Sequence, residues 1–272
     1  MDRGLVFALV LACGLPPATL RADDAALCAN ADEAPGEAVH ACDRLLNSGR
    51  LDTGEQARAL VNQGAAWIVL GSYSQAVTAF NSAERRDPRI PLIYTNRGFA
   101  RARLGQFDQA LADYDRAIAM RPRDPLSLME RGGLLLRMGR AELALADFDA
   151  LLRLTPNDPD ARFNRALALL TLGRTGAAER TLRQLAISNP NDAAVWMELG
   201  RARATSDPVT ALRDLAQAIR LKPEWAEPHM LRGRIHDRAG RTREADQDFL
   251  RAYELGYQSA WLTERVAGIP TR

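Results

Sequence analysis

Gly71-Ser72-Tyr73-Ser74-Gln75-Ala76 returns 34 residues later as Gly105-Gln106-Phe107-Asp108-Gln109-Ala110, and Gly139 and Gly173 continue the series at the same step. Pro88, Pro122, Pro156 and Pro190 keep that interval, and Pro223 follows after 33 residues. A fixed period of this length means that one small unit recurs, and such a unit buries its apolar face only by stacking on its neighbours. The order of residue types says what the unit is. Glycine ends a first helix by supplying left-handed backbone. A small residue (Ala76, Ala110, Ala144, Ala178, Ala211 or Ala245) lets a second helix approach closely, and the proline stops that helix and turns the chain to the next unit.

Composition agrees with helices throughout. Ala, Leu and Arg recur, and only 6% of residues are aromatic, which leaves little material for a sheet. The 36 basic and 34 acidic residues are mixed along the chain and sum to +2, with no basic run to attract phosphates, so nucleic acid is not an expected partner. Lys222 is the only lysine. A skew of that kind reflects coding bias across a genome more readily than guanidinium chemistry selected at each site.

At the N-terminus, Arg3, the apolar run Leu5 to Leu15, the breaker Pro16-Pro17 and the small Ala22 before Asp23-Asp24 read as a secretory signal at 1–22, cleaved after Ala22. The run is too short to span a bilayer. Val10-Leu11-Ala12-Cys13 loosely matches a lipidation site, which would instead make Cys13 a lipid anchor. Cys28 and Cys42 then remain in an oxidising compartment, where a disulfide is the default, with a free pair or a metal site using His40 as alternatives.

From Ala57 to Gly256 the chain closely resembles the tetratricopeptide repeat family. The resemblance implies an all-α fold, a right-handed α-solenoid of stacked helical hairpins. Six repeats fall at 57–90, 91–124, 125–158, 159–192, 193–225 and 226–256, the fifth being a residue short because Ser206-Asp207-Pro208 replaces the glycine turn. Residues 23–56 read as a divergent capping hairpin, which a Cys28 to Cys42 bond would staple where an array frays most easily. Residues 257–272 hold a capping helix with Trp261, Leu262 and Val266 on its covering face.

No catalytic constellation is visible: there is no phosphate loop and no metal-spaced cluster, and His229 and His236 fall at interior packing positions in the family. Neither an enzyme nor a cofactor is expected, and no small-molecule substrate is indicated. The resemblance places positions 2, 5, 9, 12 and 13 of each first helix on a concave groove. Here these include Leu92, Phe99, Arg103, Leu126, Met129, Leu136, Arg137, Phe163, Leu167, Leu170, Met197, Arg201, Met230, Arg234 and Arg238. Asn62, Asn96 and Asn164 at position 6 could donate to and accept from a peptide backbone. The expected function is a periplasmic scaffold that binds a protein or peptide segment, with a lipid-anchored envelope component as the alternative.

A further pattern is structural. Arg97, Arg131, Arg165 and Arg232 occupy position 7, and Asp113, Asp147, Asp214 and Asp248 position 23. Matching presence and absence along the chain predicts bridges to the preceding repeat: Arg131 with Asp113, Arg165 with Asp147, Arg232 with Asp214, and Arg97 unmatched.

Overall fold

The computed structural model describes residues 22–269, all of its regular structure being helix. Contacts divide it at Pro156 into two compact units. The first comprises α1 (Ala22–Ala29), α2 (Pro35–Asn47), α3 (Thr53–Val69), α4 (Tyr73–Arg86), α5 (Pro91–Arg103), α6 (Phe107–Met120), α7 (Pro125–Arg137) and α8 (Ala141–Leu154). The second comprises α9 (Pro159–Thr171), α10 (Thr175–Ser188), α11 (Ala193–Arg203), α12 (Pro208–Leu221), α13 (Ala226–Arg238), α14 (Thr242–Glu254) and α15 (Ala260–Ala267). In each unit consecutive helices pair as hairpins, and each hairpin packs on the next. Residues 1–21 of the expected signal segment, Cys13 among them, lie outside the described residues.

Local chemistry sets the helix ends. Asp124 and Asp158 accept from the backbone N–H groups of Ser127 and Ala161, and a proline follows each at the first helical position. At the turn between α5 and α6, Gly105 has φ +76°, and the N–H of Gln106 reaches back 2.9 Å to the Arg101 carbonyl. Asp207 caps α12 ahead of Pro208, so the short fifth repeat turns without a left-handed glycine. The first helix of the first repeat begins at Thr53, four residues before the repeat frame, because Asp52 and Glu55 form a reciprocal capping box there.

Hairpins close around a missing side chain. A Cβ on Gly64, Gly98 or Gly132 would lie 2.6, 2.9 or 2.7 Å from the rings of Phe80, Tyr114 and Phe148. Gly233 stands in the same relation to Phe249, and Gly200 to Leu215, each at 2.7 Å. These partners are the largest fully buried side chains of their hairpins, so the rings have nowhere to retreat.

The arginines at position 7 act differently from expectation. Nε and Nη2 of Arg131 donate to Asp147 of its own hairpin at 2.9 and 2.6 Å, and Nη1 reaches Asp115 of the preceding hairpin at 2.6 Å. Arg97 repeats the arrangement: it holds Asp113 at 2.8 Å through Nη2, and its Nη1 meets Asn81 and Glu84 on α4. Arg97 is therefore doubly matched. Arg232 grips Asp248 of its own hairpin at 2.8 and 2.6 Å, and Asp214 is held instead by Arg203, which also reaches Glu179 on α10 at 2.9 Å. The predicted Arg131–Asp113 and Arg232–Asp214 bridges are thus corrected, and the Asp147 assigned to Arg165 is engaged by Arg131. The physical reason is antiparallel packing, which sets positions 7 and 23 of one hairpin face to face and leaves the preceding hairpin to present positions 25 and 28. Hydrogen bonds that Arg131 donates to Asp147 hold the Arg131 pKa above its ordinary value against the opposing effect of burial.

The ends are covered. Cys28 and Cys42 form a disulfide across the terminal hairpin, and α1 packs on both α2 and α3. On α15, Leu262 is fully buried and Trp261 meets the Phe249 ring edge-on at 5.2 Å.

Gly132→Ala is expected to lower stability by about 1–3 kcal/mol in urea unfolding, although alanine is the better helix former. Gly36→Ala, with no atom within 4 Å of the new carbon, serves as control and should be neutral or stabilising. Equal effects at both sites would show that the ring contact does not limit helix approach.

Candidate binding face

First helices of successive hairpins lie against one another in the first unit, α3 on α5 and α5 on α7. Thr95 and Ser127 tie α5 to α7 through a buried hydroxyl pair at 2.8 Å, and Asp124 orients Ser127 from the helix cap. This gives neighbouring first helices a fixed register, and the first-helix residues expected at a groove, taken within each unit by itself, fall into three groups.

The first group is buried. Phe99, Phe163 and Met197 are only 6%, 7% and 4% exposed, so these anticipated groove anchors are packing residues in the unbound chain. Phe99 meets the edge of Tyr73 at 6.4 Å, a contact between hairpins that the sequence frame did not reveal. Met230 is buried likewise.

The second group is half-buried: Leu92, Leu126, Met129 and Leu136 in the first unit, and Leu167 and Leu170 in the second. Leu92 and Leu126 pack on the core from its rim.

The third group is exposed and cationic. Arg103 lies over the Tyr73 ring at 5.4 Å and Arg137 over the Phe107 ring at 5.1 Å, each stacking on the second helix of the preceding hairpin. In the second unit Arg201 bridges Glu198 and Glu227, whereas Arg234 lies over Trp261 at 5.7 Å, and Arg238 is exposed.

Position 6 is interior. Asn62, Asn96 and Asn164 are buried; Asn62 and Asn164 have partners, while both amide atoms of Asn96 lack one among the described residues. Glu130, the equivalent residue of the next hairpin, is pushed up to about 8 by burial. At neutral pH its carboxyl is therefore protonated. Glu198 is raised for the same reason. His229 is buried with Nδ1 3.3 Å from Asp248, in a packing position. Among the described residues there is no group of three metal-type ligands, and no helix is long and apolar enough to cross a membrane.

Stacked hairpins of paired antiparallel helices, closed by a small residue against a ring, define a helical repeat protein. Residues 96–159 and 135–201 match the tetratricopeptide repeat family, so the chain carries tetratricopeptide repeats across that stretch. Solved structures agree. A tetratricopeptide repeat protein from Parabacteroides merdae aligns with a TM-score of 0.68 at 20% identity, over 90% of this chain and 97% of that one. The Pseudomonas aeruginosa pilF protein aligns at 0.65 and 20% identity, over 79% and 99%. YrrB, described as having an unusual peptide-binding site, aligns at 0.55 and 18% identity, over 71% and 100%. Among curated proteins nothing matches the chain.

Glu130 has a pH signature. The folded chain keeps its proton up to about pH 8, whereas an ordinary glutamate releases it near 4.5, so folding becomes less favourable as pH rises between those values. Relative to the native chain, Glu130→Gln is expected to gain about 3 kcal/mol in urea unfolding between pH 5 and pH 8. A difference that is the same at both pH values would show an ionised Glu130 in the folded state.

Proposed function

We propose that the chain is a non-catalytic protein-interaction scaffold of the periplasm, holding a segment of a partner protein along the first helices of its hairpins. The observation that carries this reading is the row on α5 and α7, where half-buried Leu92, Leu126, Met129 and Leu136 lie along the two helices and exposed Arg103 and Arg137 stand at their C-terminal ends. Apolar side chains kept at the rim of a core next to uncompensated charge are typical of a contact surface, and flexible methionine suits a segment of variable shape. The described peptide-binding site of YrrB is in keeping with this. Export is supported by the signal-like run Leu5 to Leu15 and by the Cys28–Cys42 disulfide, which an oxidising compartment maintains.

Site-specific photo-crosslinking in the native envelope tests the proposal. A crosslinking residue at Leu136, on a first helix, is expected to trap a discrete partner, and the same residue at Leu143, 57% exposed on the second helix α8, is not. Adducts of equal yield from both positions, or from Leu143 alone, would place the interaction elsewhere.

A further inference from the structure

Two arginines of the first unit are set apart from those that tie the hairpins together. Arg97, Arg101, Arg131 and Arg203 are each consumed by carboxylates of the packed helices. Arg103 and Arg137, by contrast, are exposed and have no carboxylate partner among the described residues. Both stand at position 13 of consecutive hairpins, 34 residues apart, and both lie over an aromatic ring contributed by the preceding hairpin. A ring under a guanidinium restrains its plane while leaving its in-plane N–H groups open, the fork that matches a carboxylate. Glu130, on the same helix as Arg137, is buried, and burial pushes its pKa up to about 8. The row is therefore positive where it meets solvent.

We propose that Arg103 and Arg137 form a two-pronged receptor for an extended acidic segment in the polyproline II conformation, with carboxylate side chains three residues apart. This rests on the scaffold reading and specifies its ligand. The spacing follows from geometry. The axes of packed neighbouring helices lie about 8–10 Å apart, and this sets the scale of separation between position 13 on α5 and position 13 on α7. A polyproline II segment rises about 3.1 Å per residue with three residues per turn, so every third side chain returns to the same side after about 9 Å. A β-strand does not meet the condition, because residues three apart point to opposite faces. Nor does a helical face offer the unpaired edge that a strand seeks, whereas polyproline II needs no backbone partner. The half-buried Leu136, which precedes Arg137 in the chain, then faces the apolar stem beside that charge.

Fluorescence anisotropy on the full mature chain tests this with labelled nine-residue peptides of proline and alanine. Each peptide carries two glutamates two, three or four residues apart, or two glutamines three apart. The three-residue glutamate peptide is expected to bind about tenfold more tightly than its glutamine counterpart and than either other spacing. Arg103→Gln and Arg137→Gln should each remove about tenfold, with unchanged helical circular dichroism. Equal binding of glutamate and glutamine peptides overturns the proposal, as does equal binding at all spacings or indifference to both substitutions. If the peptides fail while crosslinking from Leu136 still traps a partner, the arginine receptor is overturned and the scaffold reading stands.

Discussion

The fork made by an arginine at position 7 is the interaction on which the stacking depends. Arg131 grips Asp147 on the second helix of its own hairpin with two N–H groups and extends a third to Asp115 on the hairpin before. A single side chain therefore fixes both the closure of one unit and its seat on the next. Arg97 does the same in the preceding repeat, with both Arg97 and Asp113 almost fully buried. Pairs this deep add little net stability over apolar packing, but breaking one leaves a buried charge and costs about 3–5 kcal/mol, so they penalise a shifted register strongly. In the second unit Arg203, four residues further along its helix, bridges Asp214 and Glu179 and so performs the task that Leu199 at position 7 cannot.

Fixing the rotation of each first helix decides what it offers to solvent. With position 7 turned to the carboxylates and the glycine of position 8 pressed on a ring, position 13 emerges over the preceding hairpin. There Tyr73 and Phe107 present ring faces in place of carboxylates. The same residue type is thus structural at Arg131 and free at Arg137, a difference set by what the neighbouring hairpin places opposite.

Much of the architecture was legible in the sequence because it is periodic. The glycine and proline series located the hairpins, Cys28 and Cys42 were correctly paired, and Leu262 does cover the terminal hairpin. Gly64, Gly98 and Gly132 also recur at 34 residues in mid-helix, where glycine is otherwise unfavourable, and this was a readable sign of close approach. The bridges of Arg131 and Arg232 were misassigned because Leu199 and Thr181 lack charge together, a coincidence that favoured pairing with the preceding repeat. What that count could not contain was Arg203, which reaches Asp214 from position 11. Nor could spacing show that Phe99 is covered, since its burial depends on Tyr73 of another hairpin. At the candidate face, positions were readable and exposure was not.

Double-mutant cycles on Arg131 test the dual role of the fork most directly. Arg131→Met combined with Asp147→Ala, and separately with Asp115→Ala, would be followed by urea unfolding. Both pairs are expected to be coupled, by about 2 kcal/mol or more for buried Asp147 and by about 0.5–1 kcal/mol for exposed Asp115. Additive effects in the Asp147 cycle would contradict the account, because Arg131 would then not hold its own hairpin closed.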